Sequence, residues 1–212
     1  MKNPGVYAFL SGLMGIAGYG FLFGYLISRS ENTDTWILMN RLHDAACASQ
    51  FLLLVPVVFA MHFLLRKNNF KTKQITLIIG IASALATSLC LLLIFPKVVS
   101  DIFYMIPQGL FGIWIIAINW RRNKFISNAL RIFGIIVGIG LLITGLFPTG
   151  FALFISIDAV RIPAVPMKEF PQTQANNILH IFLFAGFFTG VLTLPPWTMM
   201  LGKALIKKHS IS

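Results

Sequence analysis

The sequence predicts an all-α fold, an integral membrane bundle of six transmembrane helices with both termini cytoplasmic. It forms one transmembrane domain over residues 1–212. Three observations lead there. The chain is 57% hydrophobic and only 11% charged, with a mean hydropathy of +0.83. Soluble domains are about a quarter charged, and one core of this size could not hide so much apolar surface from water. Six apolar runs approach the ~20 residues that carry a helix across a bilayer. The basic residues then fall unevenly between the connecting segments, as in multi-pass proteins of the plasma (cytoplasmic) membrane.

The runs are residues 5–28, 42–65, 74–95, 100–120, 128–147 and 177–204. The first resembles a signal peptide in having Lys2 ahead of it. It is too long for such a segment, and no small-residue cleavage site closes it before Arg29, so a retained span is expected. Pro56 and Pro107 fall inside the second and fourth runs. Pro96 and Pro148 are expected to stop the third and fifth, and Pro195-Pro196 to break the sixth. Carbonyls freed by these prolines must find donors on neighbouring helices, because lipid offers none.

Six spans put both termini on one side. That side collects Lys2, Arg66, Lys67, Lys71, Lys73, Arg121, Arg122, Lys124, Arg131, Lys203, Lys207 and Lys208. The other holds Arg29, Arg41, Lys97, Arg161 and Lys168, together with all six acidic residues, Glu31, Asp34, Asp44, Asp101, Asp158 and Glu169. The basic-rich side is the cytoplasmic one. The net charge of +11 is thereby accounted for as a topology signal. The expected partners are membrane lipids, including anionic headgroups, and not nucleic acid. Trp36 and Tyr104 suit an outer aromatic belt, and Tyr7, Trp120 and Trp197 an inner one.

Glycines at Gly20/Gly24, Gly134/Gly138 and Gly186/Gly190, with Gly12, Gly15 and Gly18 on the first span, mark faces where backbones approach closely. Ser83 and Thr87 share a face and are expected to bond carbonyls of their own helix. Cys47 and Cys90 read as small buried hydrophobes that pair only if their helices are neighbours. Neither these thiols nor any Cys/His pattern points to a metal, and no cofactor is expected.

Polar groups at the outer helix ends are the candidates for chemistry. His43 and His180 begin the second and sixth runs at matched depth, in the similar tetrads Asn40-Arg41-Leu42-His43 and Asn177-Ile178-Leu179-His180. Asp44, Asp101, Asp158 and Arg161 lie on the same side. Gln50, seven residues after His43, continues that face two turns deeper, where an amide needs a partner or a wet site. Each has a plainer reading. Asp44 and Asp101 in first turns would complement helix dipoles, and Asn40, Ser100 and Asn177 would be N-caps. His62 would snorkel beside Arg66. No HExxH, GxSxG or P-loop pattern is present.

The fifth run closes on Phe147-Pro148-Thr149, and the sixth opens on Leu179-His180 across the longest polar segment. On these residues the chain resembles a family of six-helix bacterial membrane proteins, the domain of unknown function 998 family. The resemblance implies a helix ending in Phe-Pro-Thr-Asp, an outer loop, and a Leu-His at the start of the last helix. Position 150 is Gly where that family favours Asp, which removes a carboxylate from the suspected site. No reaction is implied. The expected function is an extracytoplasmic-side site for a lipid or small molecule, with transport as an extension of it. The alternatives are an enzyme acting on a lipid-linked substrate at the outer leaflet, with His43 or His180 as base and Arg41 or Arg161 holding a phosphate, or a structural subunit.

Overall fold

A computed structural model describes residues 3–29, 33–67, 74–94, 96–120, 126–164 and 173–209. Among them there is no strand. The helices are α1 (Pro4–Ser28), α2 (Thr33–Lys67), α3 (Gln74–Ile94), α4 (Met105–Trp120), α5 (Asn128–Phe154), α6 (Gln174–Gly186) and α7 (Leu194–His209). A short 3-10 turn covers Ile157–Val160, and a π turn, Phe187–Val191, links α6 to α7. The topology charges at Lys2, Glu31, Lys71, Lys73, Arg121, Arg122, Lys124, Lys168 and Glu169 lie outside the described residues.

Five helical runs are long and apolar enough to cross a membrane: Pro4–Ser28, Asp34–Arg66, Gln74–Ile94, Asn128–Phe154 and Gln174–Lys207. Met105–Trp120 is a shorter apolar helix. The burial pattern fits lipid as the solvent. Phe23, Ile78, Leu146, Leu153, Phe154 and Ile181 are exposed, while Ser11, Gln50, Thr87, Gln108, Asn119, Thr144 and Thr198 are buried. A water-soluble bundle would not leave so many large apolar side chains on its outside. This is a helical membrane protein.

The helices form a ring in chain order, α1 on α2, α2 on α3, α3 on α4, α4 on α5 and α5 on α6, closed by α7 against α1. Glycines set the tightest seams. A Cβ at Gly140 would lie 2.2 Å from the Gly190 nitrogen, and one at Gly112 would lie 2.5 Å from the Gly138 oxygen. Gly12, Gly15 and Gly18 admit α7 and α2 to α1. The expected Gly20/Gly24 seam is not one: nothing comes within 4 Å of a Cβ at Gly20, and Gly24 meets only Met39. Ser83 and Thr87 bond carbonyls of their own helix.

Four boundaries differ from expectation. α2 starts at Thr33, and its 35 residues extend roughly 50 Å, well beyond the ~30 Å hydrocarbon core. Asn40 and Asp44 are therefore interior residues of α2, not a cap and a first-turn carboxylate. Asp34 occupies the first turn. α5 runs through Pro148 to Phe154, since an internal proline removes only one ladder bond. Thr173, not Asn177, caps α6, accepting from the Asn176 N–H at 3.3 Å. Ser100 lies in the turn that precedes α4, whose first residue is Met105, so it is not the cap either.

The break in the last span lies upstream of Pro195-Pro196, for a simple reason. Neither proline has an N–H, so the carbonyls of Val191 and Leu192, four residues earlier, lose their helical donors. The backbone widens there into the π turn, with the Leu192 N–H bonded to the Phe187 carbonyl at 2.9 Å. The Tyr19 hydroxyl of α1 donates to the Val191 carbonyl. The freed carbonyl thus finds a donor on a neighbouring helix, as lipid requires.

Candidate functional site

Four of the seven expected site residues, His43, Asp44, Gln50 and Asp101, converge where α1, α2 and the start of α4 meet. His43 projects from α2 onto α1, its Nδ1–H donating to the Gly18 carbonyl at 2.8 Å. With Nδ1 committed, Nε2 of the neutral ring is the acceptor. Cys47, one turn on, has its Sγ 3.8 Å from His43 Nδ1. It also abuts Gly18, where a Cβ would come within 3.1 Å of the sulfur. Gln50 continues the same seam. Its side chain lies against Gly15, and its carbonyl accepts the Ser11 hydroxyl at 3.0 Å. The side-chain amide nitrogen of Gln50 is buried with no hydrogen-bond partner among the described residues.

Asp44 is near enough to Asp101 for their charges to interact, and both lie near Tyr104. Tyr104 and Cys47 pack on one small cluster built on Ala48, Leu91, Ile94 and Val99. Tyr19 faces the same group from α1. Asp44 is half-buried, while Asp101 is exposed in the turn before α4. Among the described residues neither carboxylate has an ion-pair partner. Burial, helped by Cys47 and the two carboxylates, pushes the Tyr104 phenol above its ordinary range and keeps it protonated. Asp44 lies twenty-two residues from Arg66, roughly 33 Å along α2, which is about one hydrocarbon thickness.

The remaining expected site residues go elsewhere. Asp158 and Arg161 pair with each other at 3.7 Å across the 3-10 turn, and Ser156 caps that turn. His180 donates from Nδ1 to the Asn176 carbonyl of its own helix at 2.8 Å, and its ring meets Phe147 of α5 at 5.8 Å. The contacts that place His43 are on α1 and α2, and those that place His180 are on α5 and α6. The two tetrads are therefore used differently, one across a helix seam and the other along a helix. His62 is buried and does not snorkel. Cys47 and Cys90 are free thiols on neighbouring helices. Tyr104 and Trp197 are not belt residues: Tyr104 belongs to the cluster, and Trp197 is fully buried.

Among the described residues, no group of three or more His, Cys, Asp or Glu side chains is placed to hold a metal ion. No family model, curated protein or solved structure matches the chain. The arrangement is a protonated phenol, two carboxylates without an ion-pair partner among the described residues, and a histidine acceptor. It is equipped to hold a ligand by charge and hydrogen bonds. Tyr19, Cys47 and Tyr104 are the members that sequence reasoning missed. The signal was a shared helical face: Asp44, Cys47 and Phe51 are spaced i, i+3, i+7.

Proposed function

We propose that this is a six-span protein of the plasma membrane with both termini cytoplasmic. In this reading the end where α1, α2 and α4 meet is an extracytoplasmic-side binding site for a lipid or small molecule. One observation carries it: Asp44 and Asp101 stand together without an ion-pair partner among the described residues, beside Tyr104 and Cys47. Charged groups at the edge of a bundle are costly to leave uncompensated and commonly mark where a ligand enters. The twelve-to-five division of Lys and Arg supports the orientation.

Two experiments test this. A reporter active only in the cytoplasm, fused after Ser212, is expected to be active, and inactivity reverses the topology. Native mass spectrometry of the gently purified full chain should show a bound lipid or small molecule that is lost in Asp44→Asn and His43→Ala. An unchanged bound-species profile in both variants counts against the site.

A further inference from the structure

The site's own chemistry narrows what it takes. The chain carries a net charge of +11, yet Asp44 and Asp101 meet no cation among the described residues. Below them α2 and α4 come together through side chains at Phe51 and Phe111. On α2 the face reads Asp44, Cys47, Phe51. On the other side Asp101 sits in the turn, followed by Tyr104, Gln108 and Phe111. The two faces close at the bottom, where the Phe51 and Phe111 rings meet edge to face at 5.5 Å. Gln108 is one turn below Tyr104, whose carbonyl accepts the Gln108 N–H at 3.2 Å, and three residues above Phe111. By spacing it shares the helical face of Tyr104 and Phe111, while Gly109 and Gly112 turn the neighbouring face to α5. Gln108 is 3% exposed, and its side-chain oxygen has no hydrogen-bond partner among the described residues.

Going down the seam, this gives two carboxylates, a protonated phenol and an orphaned amide acceptor over an aromatic floor. The carboxylates and the Gln108 oxygen favour positive charge or an N–H donor, and the phenol oxygen is able to accept as well. A divalent metal would need more convergent hard ligands than the described residues supply. Carboxylates with aromatic rings are instead what hold ammonium groups.

Building on the binding site proposed above, we propose that it takes an organic ammonium ion, either as the headgroup of an ethanolamine or choline lipid or as a free alkylammonium solute. The ammonium lies between Asp44 and Asp101. The Gln108 oxygen accepts from an N–H, or sits against the cation where no N–H is present.

The test uses the full chain in nanodiscs made only of phosphatidylglycerol. Hexyltrimethylammonium and its uncharged carbon isostere are titrated by calorimetry. In parallel, native mass spectrometry compares retention of phosphatidylethanolamine with that of phosphatidylglycerol from mixed bilayers. The cation is expected to bind at least tenfold more tightly than the isostere, or phosphatidylethanolamine to be retained selectively, which tells solute from lipid. Asp44→Asn and Asp101→Asn should each weaken the preferred species roughly tenfold or more. Gln108→Leu should weaken it less, and Asp158→Asn not at all. Asp101 is in an exposed turn, so its variant reports even if Asp44→Asn fails to fold. Equal binding of the cation and its isostere, both weakened in Asp44→Asn, overturns the ammonium assignment and leaves the site standing. Undiminished ammonium binding in Asp101→Asn overturns the assignment of the cation to this pair. Absence of binding in every arm overturns both proposals.

Discussion

Gly140 is where the bundle has least room, and replacing it with alanine is the sharpest test of the packing. The new methyl carbon would sit 2.2 Å from the Gly190 nitrogen and 2.5 Å from the Thr189 carbonyl carbon. Both are backbone atoms, so no side chain can rotate away. α5 and the π turn must part by roughly 1 Å before the contact becomes ordinary. Overpacking of this kind costs about 1–3 kcal/mol, partly offset by the ~1 kcal/mol that alanine gains over glycine inside a helix. Gly20→Ala gives the matched control, because nothing lies within 4 Å of a Cβ there. It keeps the helix gain without the clash. In thermal unfolding of detergent-solubilised protein, Gly140→Ala should melt below the parent and Gly20→Ala at or above it. Equal midpoints for the two variants would refute the close approach of α5 to the π turn.

Tyr19→Phe removes the donor to the Val191 carbonyl and should cost about 1–3 kcal/mol. Hydrogen exchange should then rise in residues 187–194 more than in α3. Ser88→Ala deletes the bond from α3 to the Ala48 carbonyl of α2 and should cost only about 0.6 kcal/mol by reversible unfolding, as interhelical bonds in lipid do. Asp158→Ala breaks an exposed i,i+3 pair and should shift stability by less than about 0.5 kcal/mol in the same assay. Non-reducing denaturation followed by alkylation should add two tags per chain, at Cys47 and Cys90.

The apolar cores of the spans were legible because a lipid-crossing helix writes itself as one long window of side chains. Where a helix leaves that window, the signal stops. The stretch from Thr33 to Arg41 sets a short apolar run, Trp36-Ile37-Leu38-Met39, between polar residues and is still helical, so hydropathy did not show that α2 begins there. Prolines misled for a related reason. Their effect falls on the carbonyl four residues earlier, which moved the break from Pro195 to Phe187–Val191, while Pro148 lost one bond and stopped nothing. At the site, His43, Asp44, Gln50 and Asp101 stood out because polar groups are scarce in such a chain. Tyr19 and Tyr104 did not, since a tyrosine near a membrane boundary has an ordinary explanation. Only the fold shows that their rings turn inward toward Cys47. Asp158, Arg161 and His180 belonged to the same side by charge pattern, but sidedness does not fix which helix a residue leans on.

The last membrane run has a divided allegiance. Its first part, α6, lies along α5, while its second part, α7, lies along α1. Between them is the stretch where the prolines remove ladder donors; it packs against α5 at Gly140 and takes a tyrosine hydroxyl from α1. The ring is thus shut by a clasp whose two halves are fastened to different walls. Any movement that draws α1 away from α5 must bend the clasp at Phe187–Val191, and whatever pulls Tyr19 off Val191 loosens it.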